Sequence, residues 1–188
     1  MTVLTTANQL TLLRMLLIPA FVILVLYGHV GWALLVFATA GATDGLDGLI
    51  ARRSGQKTKL GAWLDPMADK LLLVTTFIVL TIPGLGLENR LPVWLPVIVI
   101  SRDVVIVLTV TIVNLAIGPR TFRPSIYGKI ATATYILTAV AAMLFNYLRR
   151  RSIIVDLFEY ASLVITVISS LHYIWHAARI IEAPRAEE

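Results

Sequence analysis

Six runs of mostly apolar residues leave this chain few ways to fold. They cover roughly 10–28, 31–53, 59–83, 91–117, 125–148 and 153–180, and about 20 such residues let one helix cross a bilayer's hydrocarbon core. Lipid offers a backbone no hydrogen-bond partners, so runs of this length satisfy their own N–H and C=O groups as helices. The breaks, "YGHVGW", "RRSGQKTK", "PGLGLENRLP", "GPRTFRPS" and "NYLRRRS", carry glycine, proline and basic residues, as turns do. Hydrophobic residues make up 58% of the chain and charged ones 14%, against about a quarter charged in a soluble domain. The expected fold is therefore all-α: a polytopic membrane protein with six transmembrane helices in a single domain, 1–188, without internal repeats. "NQLTLLRMLLIP" alternates Leu10, Leu13, Leu17 and Ile18 with Asn8, Thr11 and Arg14, which suggests a short N-terminal interfacial stretch. Arg14 there either snorkels to the surface or has a function. The first run lacks a small-residue cleavage site and reads as a retained helix.

Lysine and arginine set the orientation. Arg52, Arg53, Lys57, Lys59, Arg120, Arg123 and Lys129, with Arg14, Arg179 and Arg185, fall on one side; Arg90, Arg149, Arg150 and Arg151 fall on the other. The excess places both termini and the 43–70 region in the cytoplasm. The triplet Arg149–Arg151 departs from the rule, and lipid phosphates are the partners it suggests. The net charge of +5 is explained by helix ends and loops, so no nucleic-acid partner is expected. With no cysteine, any metal must be held by oxygen or imidazole.

Within the second and third runs stand four aspartates. Asp44 and Asp47 are three residues apart, and Asp65 and Asp69 are four apart, so each pair shares one helix face. A short connection makes the two helices antiparallel neighbours, which lets the four carboxylates converge near the cytoplasmic surface. Unshielded, such a cluster repels itself strongly in a medium of low dielectric. Internal pairing with Lys70 or Arg102 is one resolution. Binding of hard divalent cations, Mg²⁺ or Mn²⁺ and two of them for four carboxylates, is the better one. Gly45, Gly48 and Gly61 clear the same faces for a ligand or for close helix packing, and Arg52 stands above them, suited to a phosphate.

Asp44, Asp47, Gly48, Ala51, Arg52, Gly61, Asp65 and Asp69 read D-x2-D-G-x2-A-R-x8-G-x3-D-x3-D. The pattern resembles, without a mismatch, the signature of the CDP-alcohol phosphotransferase family, and the resemblance covers nearly the whole chain. It implies transfer of a phosphatidyl group from CDP-diacylglycerol to an alcohol, with release of CMP. Asp44, Asp47, Asp65 and Asp69 would then hold the metal, Asp69 would also act as general base, and Gly48, Ala51, Arg52 and Gly61 would line the CDP site. A homodimer is implied too.

"NQLTLLRMLLIP" and "LDPMADKLL" are similar to the branches of that family whose acceptors are glycerol 3-phosphate and phosphatidylglycerol. Both acceptors carry a phosphate, for which Arg102 and Lys129 are the candidate ligands. Asp103 leaves the helix about 100° from Arg102, so the expected partner of Arg102 is a ligand phosphate or a carboxylate on another helix. "SRDVV" and "FRPSIYGKIAT" lean toward the phosphatidylglycerol users, the cardiolipin synthase branch; glycerol 3-phosphate is placed first, as in the phosphatidylglycerophosphate synthase branch. A divalent-cation transporter is the alternative from another class, although no repeated halves or midplane site support it. His172 and His176, four apart beside Tyr173 and Trp175, read as an aromatic belt rather than a metal site.

Overall fold

The computed structural model describes residues 6–54, 59–118 and 125–182, with side chains at 9–43, 67–115, 118 and 125–179. Six helices are present: α1 (Thr6–Leu26), α2 (Val30–Ser54), α3 (Lys59–Leu80), α4 (Trp94–Ile117), α5 (Ile126–Tyr147) and α6 (Ile153–Glu182). Each overlaps one of the six apolar runs, and the described residues contain no strand. Among the described residues four stretches are long and apolar enough to cross a membrane on their own: Gln9–Leu26, Trp94–Leu115, Ile126–Tyr147 and Ile153–Arg179. Among the described side chains of α2, Val30–Thr43 forms a further apolar stretch. α1 runs unbroken from Thr6, so its amphipathic start and its span are one helix. Only 17% of the Trp94–Leu115 window is buried; the remaining apolar surface faces outward, which suits lipid and not water. The protein is an all-α, multi-pass membrane protein.

The chain forms two compact units, Met1–Leu91 with Ala139–Ser152, and Pro92–Thr138 with Ile153–Glu188. In the first, α1 packs on both α2 and α3, which also touch each other. Ala33, Phe37 and Ala40 present one buried face of α2, small at two of three positions so that backbones can approach, and Phe37 meets Phe21 of α1 with ring centroids 6.2 Å apart. In the second unit α4 packs on α6. Ser162, Thr166 and Ser169 form a buried polar stripe on α6, and they are matched by hydroxyls and a guanidinium. Thr138 bonds Ser162 at 2.9 Å, Tyr135 bonds Thr166, and Arg102 bonds Ser169. Several other threonines close on their own helix, as Thr76 does on the carbonyl of Leu72 at 2.7 Å, which satisfies those hydroxyls without water.

Two helix ends in the first unit use the same cap. At α1, His29 N–H bonds Leu24 C=O and Gly28 N–H bonds Val25 C=O, with Gly28 at φ 75°. At α5, Arg150 N–H bonds Phe145 C=O and Arg149 N–H bonds Asn146 C=O, with Arg149 at φ 51°. Both are Schellman motifs, whose left-handed position normally takes glycine; arginine there costs about 1 kcal/mol. A buried amide pair holds the second turn. Asn146 Oδ1 accepts from Asn89 N–H at 2.7 Å, Asn89 Nδ2 donates to Arg150 C=O at 2.8 Å, and Asn89 Oδ1 accepts from Ser152 N–H at 2.8 Å. Asn89→Ala strands the last two backbone groups and is expected to destabilise the protein by about 2–3 kcal/mol, read as a lower thermal midpoint in detergent.

Candidate active site

The four aspartates fall near the connection between two helices, Asp44 and Asp47 toward the end of α2 and Asp65 and Asp69 near the start of α3. Counting at about 1.5 Å per residue, Asp47 lies roughly 10 Å in from the end of α2 at Ser54, and Asp65 roughly 9 Å in from the start of α3 at Lys59. Asp44 and Asp69 both lie about 15 Å in by the same count. By that count Asp47 and Asp65 are similarly far from the α2 and α3 ends that face each other in sequence, and so are Asp44 and Asp69. The side chains of Asp44, Asp47, Gly48, Ala51, Arg52, Gly61 and Asp65 lie outside those described; their backbone belongs to α2 and α3.

Asp69 is described in full. Its Oδ1 accepts a hydrogen bond from Arg14 Nη1 at 2.6 Å, and its side chain is 44% exposed while that of Arg14 is wholly buried. Arg14 therefore does not snorkel. It reaches from α1 to α3 and supplies a cation to Asp69, a role the sequence suggested for Lys70 or Arg102. Sequence reasoning had one clue to it, an arginine inside the first apolar run, since such residues face the bundle interior.

The second unit holds the basic residues expected to meet an acceptor phosphate. Arg102 Nη1 donates to Asp103 Oδ1 at 2.9 Å, and Nη2 donates to Ser169 Oγ at 3.1 Å. The neighbouring carboxylate is thus its partner, contrary to the expectation from the 100° spacing, because the long stem lets the guanidinium fold back along the helix. Arg102 Nε is buried without a hydrogen-bond partner. A Cβ at Gly128 would stand 3.0 Å from Arg102 Nη2, so the glycine lets α5 come close to the guanidinium. Lys129 follows on α5 and is exposed. Beside this group, His172 faces Tyr127 at 4.7 Å and His176 at 6.2 Å between ring centroids, and Arg179 lies 3.9 Å over Trp175. Ser169 and Gly128 were not singled out from the sequence; only packing reveals them.

Among the described residues no group of three His, Cys, Asp or Glu side chains could hold a metal. The four aspartates remain the candidate. Carboxylates offer oxygen donors alone, and spacings of three and four put each pair on one helix face, a chemistry that fits hard divalent ions.

The profile of the CDP-alcohol phosphatidyltransferase family matches residues 4–172. A protein of Mycobacterium tuberculosis (strain ATCC 25618 / H37Rv) named "probable phosphatidylglycerophosphate synthase" is 36% identical over 189 aligned positions, covering 93% of this chain and 82% of its own. The CMP-forming cardiolipin synthase of Streptomyces coelicolor is 38% identical over 60% of this chain, and that of Rattus norvegicus 37% over 76%. This chain spans about half the length of each of these two, 53% and 52%. The helical membrane fold and the family match thus define a membrane-embedded transferase. The chain belongs to the CDP-alcohol phosphatidyltransferase family, and it is an enzyme of phospholipid biosynthesis, which sets aside the cation-transporter alternative.

Proposed function

We propose that this enzyme moves the phosphatidyl group of CDP-diacylglycerol to glycerol 3-phosphate and releases CMP. The observation that carries the choice of acceptor is the 36% identity over 93% of the chain to the protein named a probable phosphatidylglycerophosphate synthase. Phosphatidylglycerol as acceptor is the second reading, favoured by "SRDVV" and "FRPSIYGKIAT" and by the similarity to the two cardiolipin synthases.

In this reading Gly48, Ala51, Arg52 and Gly61 line the CDP site, the glycines leaving room and Arg52 meeting phosphate. Asp44, Asp47, Asp65 and Asp69 would hold Mg²⁺ or Mn²⁺, two ions for four carboxylates. Bound there, the ions supply positive charge against the pyrophosphate. Arg102 and Lys129 hold the acceptor's phosphate. Asp69 takes the proton of the acceptor hydroxyl as its oxygen bonds to the phosphatidyl phosphorus, and the bond from that phosphorus to CMP breaks. Arg14, bonded to Asp69 Oδ1, keeps that carboxylate in place. The enzyme works as a homodimer in the bacterial inner membrane, with its lipid tails in the bilayer and its active site open to the cytoplasm, as the distribution of basic residues favours.

The test is CMP release by purified protein with CDP-diacylglycerol and either metal, offered glycerol 3-phosphate, phosphatidylglycerol, inositol phosphate or serine separately. Release with glycerol 3-phosphate alone is the expected result; release with phosphatidylglycerol alone selects the second reading. Chelation by EDTA is expected to abolish release, and added Mg²⁺ or Mn²⁺ to restore it. Full activity in EDTA would remove the metal from the scheme.

A further inference from the structure

The end of the first unit away from the aspartates carries a second candidate site. A cavity of about 620 Å³ opens there, lined by His29, Trp32, Leu35, Leu144, Tyr147 and Arg149 among others. Along α2, Gly31 stands about 20 Å from Asp44 at 1.5 Å per residue, so the cavity is remote from the aspartates. Among the described residues, no acidic side chain lines it. Arg149, Arg150 and Arg151 are exposed, and none makes an ion pair among the described residues. A second, independent observation concerns the backbone: Arg149 sits at φ 51° in a cap position that favours glycine. The paired Asn89 and Asn146 hold that turn. A strained residue held so firmly points to a use for its side chain. The lining is mixed, with leucines on one part and cationic or polar groups on another, and Trp32 and Tyr147 are both exposed, as aromatic residues at a membrane interface are.

We infer that this cavity binds an anionic glycerophospholipid, its phosphodiester held by Arg149 with His29 nearby and an acyl chain lying along Leu35 and Leu144. Guanidinium matches phosphate in charge and in paired donors, and the leucines match the chain. Unpaired cations without a facing carboxylate select an anionic headgroup over a zwitterionic one. The site also gives the arginine triplet a partner on the side where the orientation rule leaves it unexplained. It does not depend on which acceptor the enzyme uses.

Native mass spectrometry of the detergent-solubilised protein tests this with phosphatidylserine and phosphatidylcholine of identical chains. Arg149→Gly is the informative variant, because glycine suits the positive φ and the fold is expected to keep or raise its thermal midpoint. The wild-type protein is expected to retain about tenfold more phosphatidylserine than phosphatidylcholine, the size of one charge-assisted contact. Arg149→Gly is expected to lose that preference while phosphatidylcholine binding and CMP release stay unchanged. Any lipid bound at the aspartate site is common to both proteins and cancels in the comparison. Undiminished preference in Arg149→Gly overturns the proposal. So does displacement of phosphatidylserine by millimolar inorganic phosphate, which would make this a site for a free anion.

Discussion

Asp69→Asn is expected to lower CMP release by about 10³-fold or more, with the protein still folded. General-base assistance alone contributes about 10²–10⁴-fold, and the same substitution weakens one oxygen donor of the proposed metal site. Asparagine keeps the shape and retains an oxygen that can accept the hydrogen bond Arg14 now gives to Oδ1, so the loss falls on chemistry more than on stability. Turnover measured at saturating CDP-diacylglycerol and acceptor shows it as a fall in kcat, while the KM for glycerol 3-phosphate, set by Arg102 and Lys129 in the proposed scheme, changes little. A variant within tenfold of the wild-type protein would show that Asp69 neither takes the proton nor holds an essential ion.

Arg14→Ala is expected to have the largest effect on stability. The arginine is wholly buried and its Nη1 stands 2.6 Å from Asp69 Oδ1; removing it deletes a packed side chain and leaves the carboxylate without this cation. Breaking a buried ion pair by removing one partner costs about 3–5 kcal/mol. Asp69 is 44% exposed, and solvent tempers its loss, so the lower end, about 3 kcal/mol, applies. That corresponds to a drop of roughly 10 °C in thermal midpoint for a chain of this size. The double variant with Asp69→Asn separates the pair from general packing: a coupling of at least about 1 kcal/mol is expected. Additive effects would mean that the two residues touch without depending on each other, and that Arg14 does not position Asp69.

How much of this could be read from the sequence follows from the range over which each feature acts. The helices were legible because an apolar run near 20 residues, closed by turn residues, depends on neighbours in sequence alone; the six predicted runs overlap α1 to α6. The aspartate motif was legible for the same reason, since spacings of three and four residues already define a helix face. Among the described residues four stretches stand out as spans by length and composition, and each overlaps one of the six runs. Arg102 shows the limit of angular reasoning: the direction of a Cβ does not fix where a guanidinium on a flexible stem ends.

The sequence by itself determined that this chain is an all-α membrane protein and that it carries the eight-position motif of its family, since both are set by short-range pattern. Tertiary structure alone decided that Arg14 meets Asp69 across 55 residues of chain, that Ser169 and Gly128 crowd Arg102, and that Arg149 is held in a left-handed turn at the mouth of a cavity. Each depends on which helix faces pack together and on how a turn closes. Such contacts join residues far apart in sequence, and no local periodicity encodes them.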